Sequence, residues 1–304
     1  MKISRCLSLF CLLVVIAAAS HSPASEKPRV VQQDDGTHEF TEPVQPPRWN
    51  ASLETTWLPD SGIDGGKGNV AMEEVKFELG RQFRLNPRLY LSAGLSYCLL
   101  NIDAPQSALL PESLHTLSLS LGGSYEVTDD LTLGLTLAPG LSSDFKEIDM
   151  DDVRLRATLY ARYRVSSRLT LIGGAKYKGS DDDSPVVPIV RVQYRPSEQW
   201  TFNLGIPRST VVFKPNNGTE YYLGVQLSSG DTYELHDKSL GADSISYTDY
   251  KALAGVEFPL TRVVGLCLSG GYAFGRELDF SDADRADMDL DNTPFGRLEL
   301  KLAW

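Results

Sequence analysis

From Trp49 onward the chain alternates, and it keeps alternating to its end. Trp49, Ala51, Leu53, Thr55 and Trp57 share one parity. Val75 to Leu79, Leu89 to Leu99, Leu117 to Val127, Leu131 to Leu137 and Val153 to Val165 repeat the pattern. It continues through Leu169 to Tyr177, Val190 to Tyr194, Trp200 to Ile206, Tyr221 to Leu227, Tyr250 to Phe258 and Val264 to Phe274. Successive side chains of a strand point to opposite faces, so period two over such lengths predicts strands with two different environments. Many of these segments reach the roughly 9 to 11 residues that a tilted membrane-spanning strand needs. The last stretch, TPFGRLELKLAW, sets Leu298, Leu300, Leu302 and Trp304 against Arg297, Glu299 and Lys301. A two-faced C-terminal strand ending on an aromatic residue resembles the closing strand and assembly signal of bacterial outer-membrane barrels. That likeness implies a partner, the barrel-assembly machinery.

The connections alternate too. Short turns fall at Asn86-Pro87, Thr128 to Asp130, Ser166 to Arg168, Arg195 to Gln199, Asn216 to Gly218 and Pro259 to Arg262. Longer loops fall between them, at 59–69, 101–113, 142–152, 179–185, 228–244 and 275–292. Short periplasmic turns and long extracellular loops are the habit of outer-membrane barrels. The fold class expected is therefore all-β, a transmembrane antiparallel up-and-down β-barrel. Pro207-Arg208-Ser209 is a short connection where a long one is due. With it as a hairpin the count is fourteen strands; without a separate strand at Thr210–Lys214 it is twelve.

Aromatic residues are an independent sign. Phe83, Tyr125, Tyr163, Tyr194, Trp200, Phe258 and Trp304 lie beside short turns or the chain end. Trp57, Tyr97, Tyr177, Tyr247 and Tyr272 lie toward the long loops. Amphipathic rings favour the two membrane boundaries, so these, with Trp49, are expected to form two girdles against outer-membrane lipid. Trp49 and Trp57 would stand about 26 Å apart along a strand.

Composition fixes the compartment. Lys2 and Arg5 precede an apolar Leu7–Ala19 and small residues at Ala17–Ala19 and Pro23–Ser25, the form of a secretory signal, here 1–25. Cys11 after Phe10 is a poor lipoprotein site. Residues 26–48, polar and broken by Pro28, Pro43, Pro46 and Pro47, read as an unfolded periplasmic arm. The barrel is then 49–304. The net charge is −11, and becomes −13 once Lys2 and Arg5 leave with the signal. That balance argues against nucleic-acid partners, which need a basic face. Only Cys98 and Cys267 would remain after cleavage, too few for a disulfide framework, and their strands are well separated.

The parity opposite the leucines is charged. Arg154, Arg156, Arg162, Arg164, Lys176, Lys178 and Arg191 fall on three consecutive strands, a basic strip on the lumen wall. Glu74, Glu78, Glu257 and Glu299 on other strands could face it. One reading is a pore that attracts anions; the other is charge pairing that fills a wet lumen, and the residues favour the second. The loops are acidic at Asp144, Glu147, Asp149, Asp151 and Asp152, at Asp181-Asp182-Asp183, and from Glu277 to Asp291. Their spacing matches no calcium signature, so solvated charge is expected and no metal or cofactor. His236, near Asp231 and Asp237, is the sole candidate base. With no G-x-S-x-G or HExxH sequence, no catalytic residue is expected.

Pro188 to Tyr233 carries Tyr194, Trp200, Pro207, Asn217-Gly218, Tyr222, Gly224 and Gly230. In these features the chain resembles an uncharacterised family of bacterial outer-membrane β-barrel proteins known as a domain of unknown function. The resemblance implies location and fold and brings no activity. The function expected is passage of small solutes. The alternatives are a structural or surface-interaction barrel with a closed lumen, and a soluble secreted β-sandwich.

Overall fold

The computed structural model describes residues 49–65, 68–179, 186–215, 218–281 and 285–304, without the side chains of 229 and 230. The expected signal, the arm and Asp181-Asp182-Asp183 lie outside the described residues. The strands are β1 (Trp49–Gly62), β2 (Asn69–Asn86), β3 (Leu89–Asp103), β4 (Ser113–Glu126) and β5 (Leu131–Ser143). Next come β6 (Val153–Arg164), β7 (Leu169–Tyr177), β8 (Val186–Tyr194), β9 (Trp200–Ile206) and β10 (Arg208–Phe213). Then follow β11 (Glu220–Glu234), β12 (Ser244–Pro259), β13 (Val264–Ser281), β14 (Met288–Leu290) and β15 (Thr293–Ala303). Two short 3₁₀ turns, Gln106–Ala108 and Lys238–Leu240, sit in loops.

Each strand from β1 to β13 runs antiparallel beside the next, and β15 lies between β13 and β1. The ring is closed and has fourteen strands. β14 is a short rider paired to the outer end of β13. The doubtful segment after Pro207 does form its own strand: β9 and β10 pair as a tight hairpin, Thr210 opposite Asn203 and Phe213 opposite Trp200. One closed sheet leaves no place for the two packed sheets of a sandwich.

The closure sits where the final strand suggested. Leu298, Leu300 and Leu302 face Thr55, Leu53 and Ala51 across the β15–β1 seam. The Trp49 amide donates to the Trp304 carbonyl at 2.8 Å and the Trp304 amide to the Trp49 carbonyl at 3.0 Å. The two indoles stack, 6.5 Å between centroids.

The leucine face is the outside. Leu159 is 61% exposed and Leu223 is 64% exposed. Leu121, Leu135, Leu155, Leu171, Val190, Leu204 and Val225 are exposed around the same wall. Among the described residues no helix or second sheet covers them. An apolar surface encircling the molecule is far more than a soluble monomer exposes. The opposite parity is buried or half-buried and mostly polar, so the usual order of a globular protein is reversed.

Glycines let rings lie flat on the inner wall. A Cβ at Gly134 would fall 2.2 Å from the Tyr160 ring, and one at Gly255 would fall 2.3 Å from the Tyr222 ring. Each tyrosine fills the hollow its neighbour's missing side chain leaves. Tyr160 packs there with Ile172 and Ile189 as a small apolar patch.

Bulges change the parity at the outer end. β1 shifts register between Leu58 and Ser61, and β11 between Ser229 and Thr232. β13 shifts at Gly275, whose φ is +55°. Beyond these points Ile63, Tyr233, Arg276 and Leu278 turn inward and are buried. Ile63, Tyr233 and Leu278 meet Leu58, Met72, Leu100, Leu114, Leu240 and Ile245 in one apolar cluster, and Arg276 donates to the Tyr247 hydroxyl at 3.0 Å and to Ser61 Oγ at 2.6 Å. The outer end of the barrel is thus filled by strand ends and infolded loops.

Candidate functional site: the barrel lumen

Three kinds of wall face the lumen. β3 to β5 present Ser92, Ser96, Ser118, Ser120, Ser124, Thr132 and Thr136, small hydroxyl side chains opposite in parity to the exposed leucines. These leave room and offer hydrogen bonds.

The second wall, β15–β1–β2 with β12, is a network of paired charges. The Lys301 ammonium stands 2.7 Å from Glu257 Oε2 and 3.6 Å from Glu299 Oε2. Arg297 Nε donates to Thr56 Oγ1 at 3.1 Å and lies 3.4 Å from Glu54. Lys76 and Glu78 pair at 2.8 Å, and Ser52 donates to Glu78. The Cys98 thiol donates to Glu74 at 3.7 Å. The acids expected to face the basic strip are therefore engaged on their own wall.

The third wall runs from β6 to β10. Register sets Arg162 opposite Ile172, Ile172 opposite Arg191 and Arg191 opposite Gly205; Lys176 lies opposite Thr158. Arg162 and Arg191 are buried, and Arg208 of β10 adds a cation that the sequence reading missed. No residue of β6 to β10 is acidic. The strip does not behave as one unit, however. Arg154 pairs with Glu234, and Arg156 with Asp231 at 3.2 Å, both acids on β11. Arg156 also donates to Ser118 and Ser142, each at 2.9 Å. Arg164 is exposed at the lower end of β6, and Lys178 is half-buried at the start of the β7–β8 loop.

Trp49, Trp57, Tyr125, Tyr163, Tyr177, Tyr194, Trp200 and Tyr272 are exposed on the outer wall. Tyr97, Phe258 and Trp304 are half-buried. Tyr97 hydroxyl bonds to His115 Nδ1 at 2.9 Å. Leu302 is only 5% exposed, so the seam itself shields it. Tyr247 does not belong with the exposed rings. It shares the parity of Lys251 and Leu253, is buried, and donates to Asp249 at 2.8 Å. Tyr250 and Phe274, stacked 5.8 Å apart on the outer wall, take the place it was given.

The outer loops are held from within. Asp144 and Asp152 are buried rather than solvated, which corrects that expectation. Asp152 accepts from His236 Nε2 at 2.9 Å and from the Asp149 amide at 3.0 Å. His236 thus pairs with Asp152, not with Asp231 or Asp237, and Asp152 holds its imidazole above the usual range. Lys146 pairs with Asp237 and pushes that carboxyl down to about 2. Asp149, Asp152 and His236, and separately Glu277, Asp279 and Asp287, bring ligand atoms close enough to hold a cation. Arg285 ties the loops across the top, donating to the carbonyls of Ala108, Leu109 and Leu240 and lying 3.9 Å over the Phe280 ring. Cys98 and Cys267 are unbridged, and Cys267 contacts the Tyr222 hydroxyl.

A family model described as a domain of unknown function, DUF6268, matches residues 77–289, well over half of the chain. The chain belongs to this family. The DUF6268 match begins within β2 and ends within β14, so it spans most of the ring. No curated protein matches the chain. Its fold is similar to that of the COG4313 outer membrane channel from Pseudomonas putida F1, at 15% identity and TM-score 0.46, over 86% of this chain and 97% of that one. A Pseudomonas aeruginosa FadL homologue is similar at 10% identity and TM-score 0.43, over 85% and 89%. A mutant of the Rh. blastica porin is similar at 10% identity and TM-score 0.39, over 85% and 99%. Likeness at this level describes a general architecture, and the lumen is argued from its own residues.

Proposed function

We propose that this DUF6268 barrel sits in the bacterial outer membrane and is a channel for small solutes, with a preference for anions. The observation that carries the reading is the unequal charging of the inner wall. β6 to β10 bear cations and no acid, while the acids of the opposite wall are engaged by Lys76, Arg297 and Lys301. The strands that carry Arg162 and Arg191 stand about 10 Å apart. Basic residues gathered on one wall favour an anion in the lumen over a cation. The apolar outer wall suits lipid contact, and the Leu298–Trp304 strand suits recognition by the barrel-assembly machinery.

The test is reconstitution into planar bilayers under a salt gradient. The expected reversal potential is that of an anion-selective pore, and Arg162→Gln with Arg191→Gln reduces the selectivity. A silent bilayer overturns the channel. The second reading, a barrel with a closed lumen serving a structural or surface role, draws on the apolar cluster under the outer loops. It predicts silence under every salt condition, with normal folding shown by heat-modifiable gel migration.

A further inference from the structure

One cation stands on the apolar face. The outward positions of β2 run Val75, Phe77, Leu79, Arg81 and Phe83. Among the described strands Arg81 is the only lysine or arginine on the outward parity. It lies directly opposite Trp49, the first residue of β1, and opposite Ala93 of β3. Its guanidinium is 5.1 Å from the centroid of the Trp49 ring and 4.9 Å from that of Phe83. The stack of Trp49 on Trp304 carries the same row across the closing seam.

The rings hold this guanidinium by their π faces but give its N–H groups no oxygen to bond. Arg81 Nε is buried and meets no acceptor, and no described carboxylate pairs with the side chain. The other arginines of the β2–β3 hairpin differ. Arg84 donates to the carbonyls of Asn86 and Pro87, each at 3.3 Å, and Arg88 lies 4.0 Å from Asp129. Arg81 alone of the three is left with donors that only a group outside the protein can meet.

We propose that Arg81, with Trp49, Phe83 and Trp304 around it, binds the phosphate of an anionic phospholipid in the leaflet at the short-turn end of the barrel. The proposal rests on the outer-membrane placement above and names one lipid contact within it. An arginine on a lipid-facing strand is strongly destabilising at the bilayer midplane and tolerated near the boundary. Trp49 and Trp304 stand at the ends of β1 and β15, and such rings mark that boundary. A guanidinium takes two phosphate oxygens at once, and this one is held in place before the lipid arrives. A headgroup such as phosphatidylglycerol, with no ammonium of its own beside the phosphate, suits an uncompensated cation better than a zwitterionic one. The acidic loops at the opposite end repel the same headgroup, so the site belongs to one leaflet.

The experiment uses the full barrel in phosphatidylcholine vesicles, with brominated phosphatidylglycerol or brominated phosphatidylcholine as the quenching lipid. The chain has four tryptophans, so a Trp57→Phe/Trp200→Phe background leaves Trp49 and Trp304, both at the site, to report. Heat-modifiable gel migration checks that each variant is folded. The expected result is a preference for phosphatidylglycerol of about threefold or more, within the scale of one basic side chain at an anionic membrane surface. Arg81→Gln removes that preference, and Arg88→Gln, which takes an equal charge from the same hairpin, keeps it. A smaller preference in the natural barrel, or one that survives Arg81→Gln, overturns the site and leaves the membrane placement standing. An equal loss with Arg88→Gln does the same, since general surface charge would then be the cause. If neither brominated lipid quenches the two indoles, the membrane placement falls as well.

Discussion

Lys301→Met tests whether the paired-charge wall holds the ring together. The ammonium is 7% exposed and lies 2.7 Å from Glu257 and 3.6 Å from Glu299, whose side chains are 6% and 11% exposed. Glu257 and Glu299 face the same residue, Cys267 of β13, from either side. Lys301 therefore stands between two carboxylates that share one small patch. Methionine keeps the length of the stem and removes the charge. At about 4 Å and an effective dielectric of 20, one such pair attracts by about 4 kcal/mol before desolvation is counted. Breaking a buried pair by removing one partner costs about 3–5 kcal/mol, because the remaining charge keeps its desolvation cost. The two estimates agree, and the expected loss is about 3–5 kcal/mol.

The assay is equilibrium unfolding in guanidinium with lipid vesicles, followed by tryptophan fluorescence. A double-mutant cycle supplies the control. Lys301→Met/Glu257→Gln removes one of the two carboxylates, so it should recover about half the loss of the single variant. A loss below about 1 kcal/mol for Lys301→Met refutes the reasoning. So does a double variant no more stable than the single one, since the penalty would then come from packing and not from charge.

Three further predictions follow from other parts of the ring. Trp304→Ala removes the indole stack at the seam, and a smaller folded fraction is expected in the outer membrane, read by heat-modifiable migration of cell extracts. Gly134→Val drives a side chain into the Tyr160 ring and should cost about 1–3 kcal/mol, with most of it regained in a Tyr160→Ala background. The His236–Asp152 bond raises the folded imidazole above its unfolded value. Its stabilisation is therefore full below about pH 6.5 and is lost as the pH climbs through the raised value. Hydrogen exchange of 144–152 and 235–243, corrected for intrinsic rates, should speed up across that range, and His236→Gln should flatten the change.

The barrel was legible in the sequence because its two faces differ so sharply. An apolar outer wall and a polar inner wall impose period two on the strands, and one slipped residue would turn a charge onto the apolar face. This is why strand parity and the closing role of Leu298–Trp304 could be read without a structure, while the short Pro207 connection left twelve and fourteen strands both open until β9 and β10 were seen to pair. The basic strip was legible as a set of inward positions, but its partners were not. Asp231 and Glu234 read as loop acids, since nothing in the sequence says that β11 continues to Glu234 and leans across to β5. Arg208 was missed because it directly follows the Pro207 turn and looked like part of a connection.

The outer end was hidden for a more general reason. Parity predicts a face only while the pairing has no insertion. One extra residue in β1 between Leu58 and Ser61 reverses the meaning of every residue after it, as do the shifts in β11 after Ser229 and in β13 at Gly275. Ile63, Tyr233 and Leu278 would point outward by the period of their own strands, and each is buried in the cluster that fills the outer end. Gly275 is the one local hint, because its positive φ is a conformation that suits glycine. The same shifts shape the outer end of the barrel. They turn apolar side chains inward, and the one in β11 turns Glu234 toward Arg154. The form of that end is therefore decided less by the regular strands than by three irregular residues near their ends.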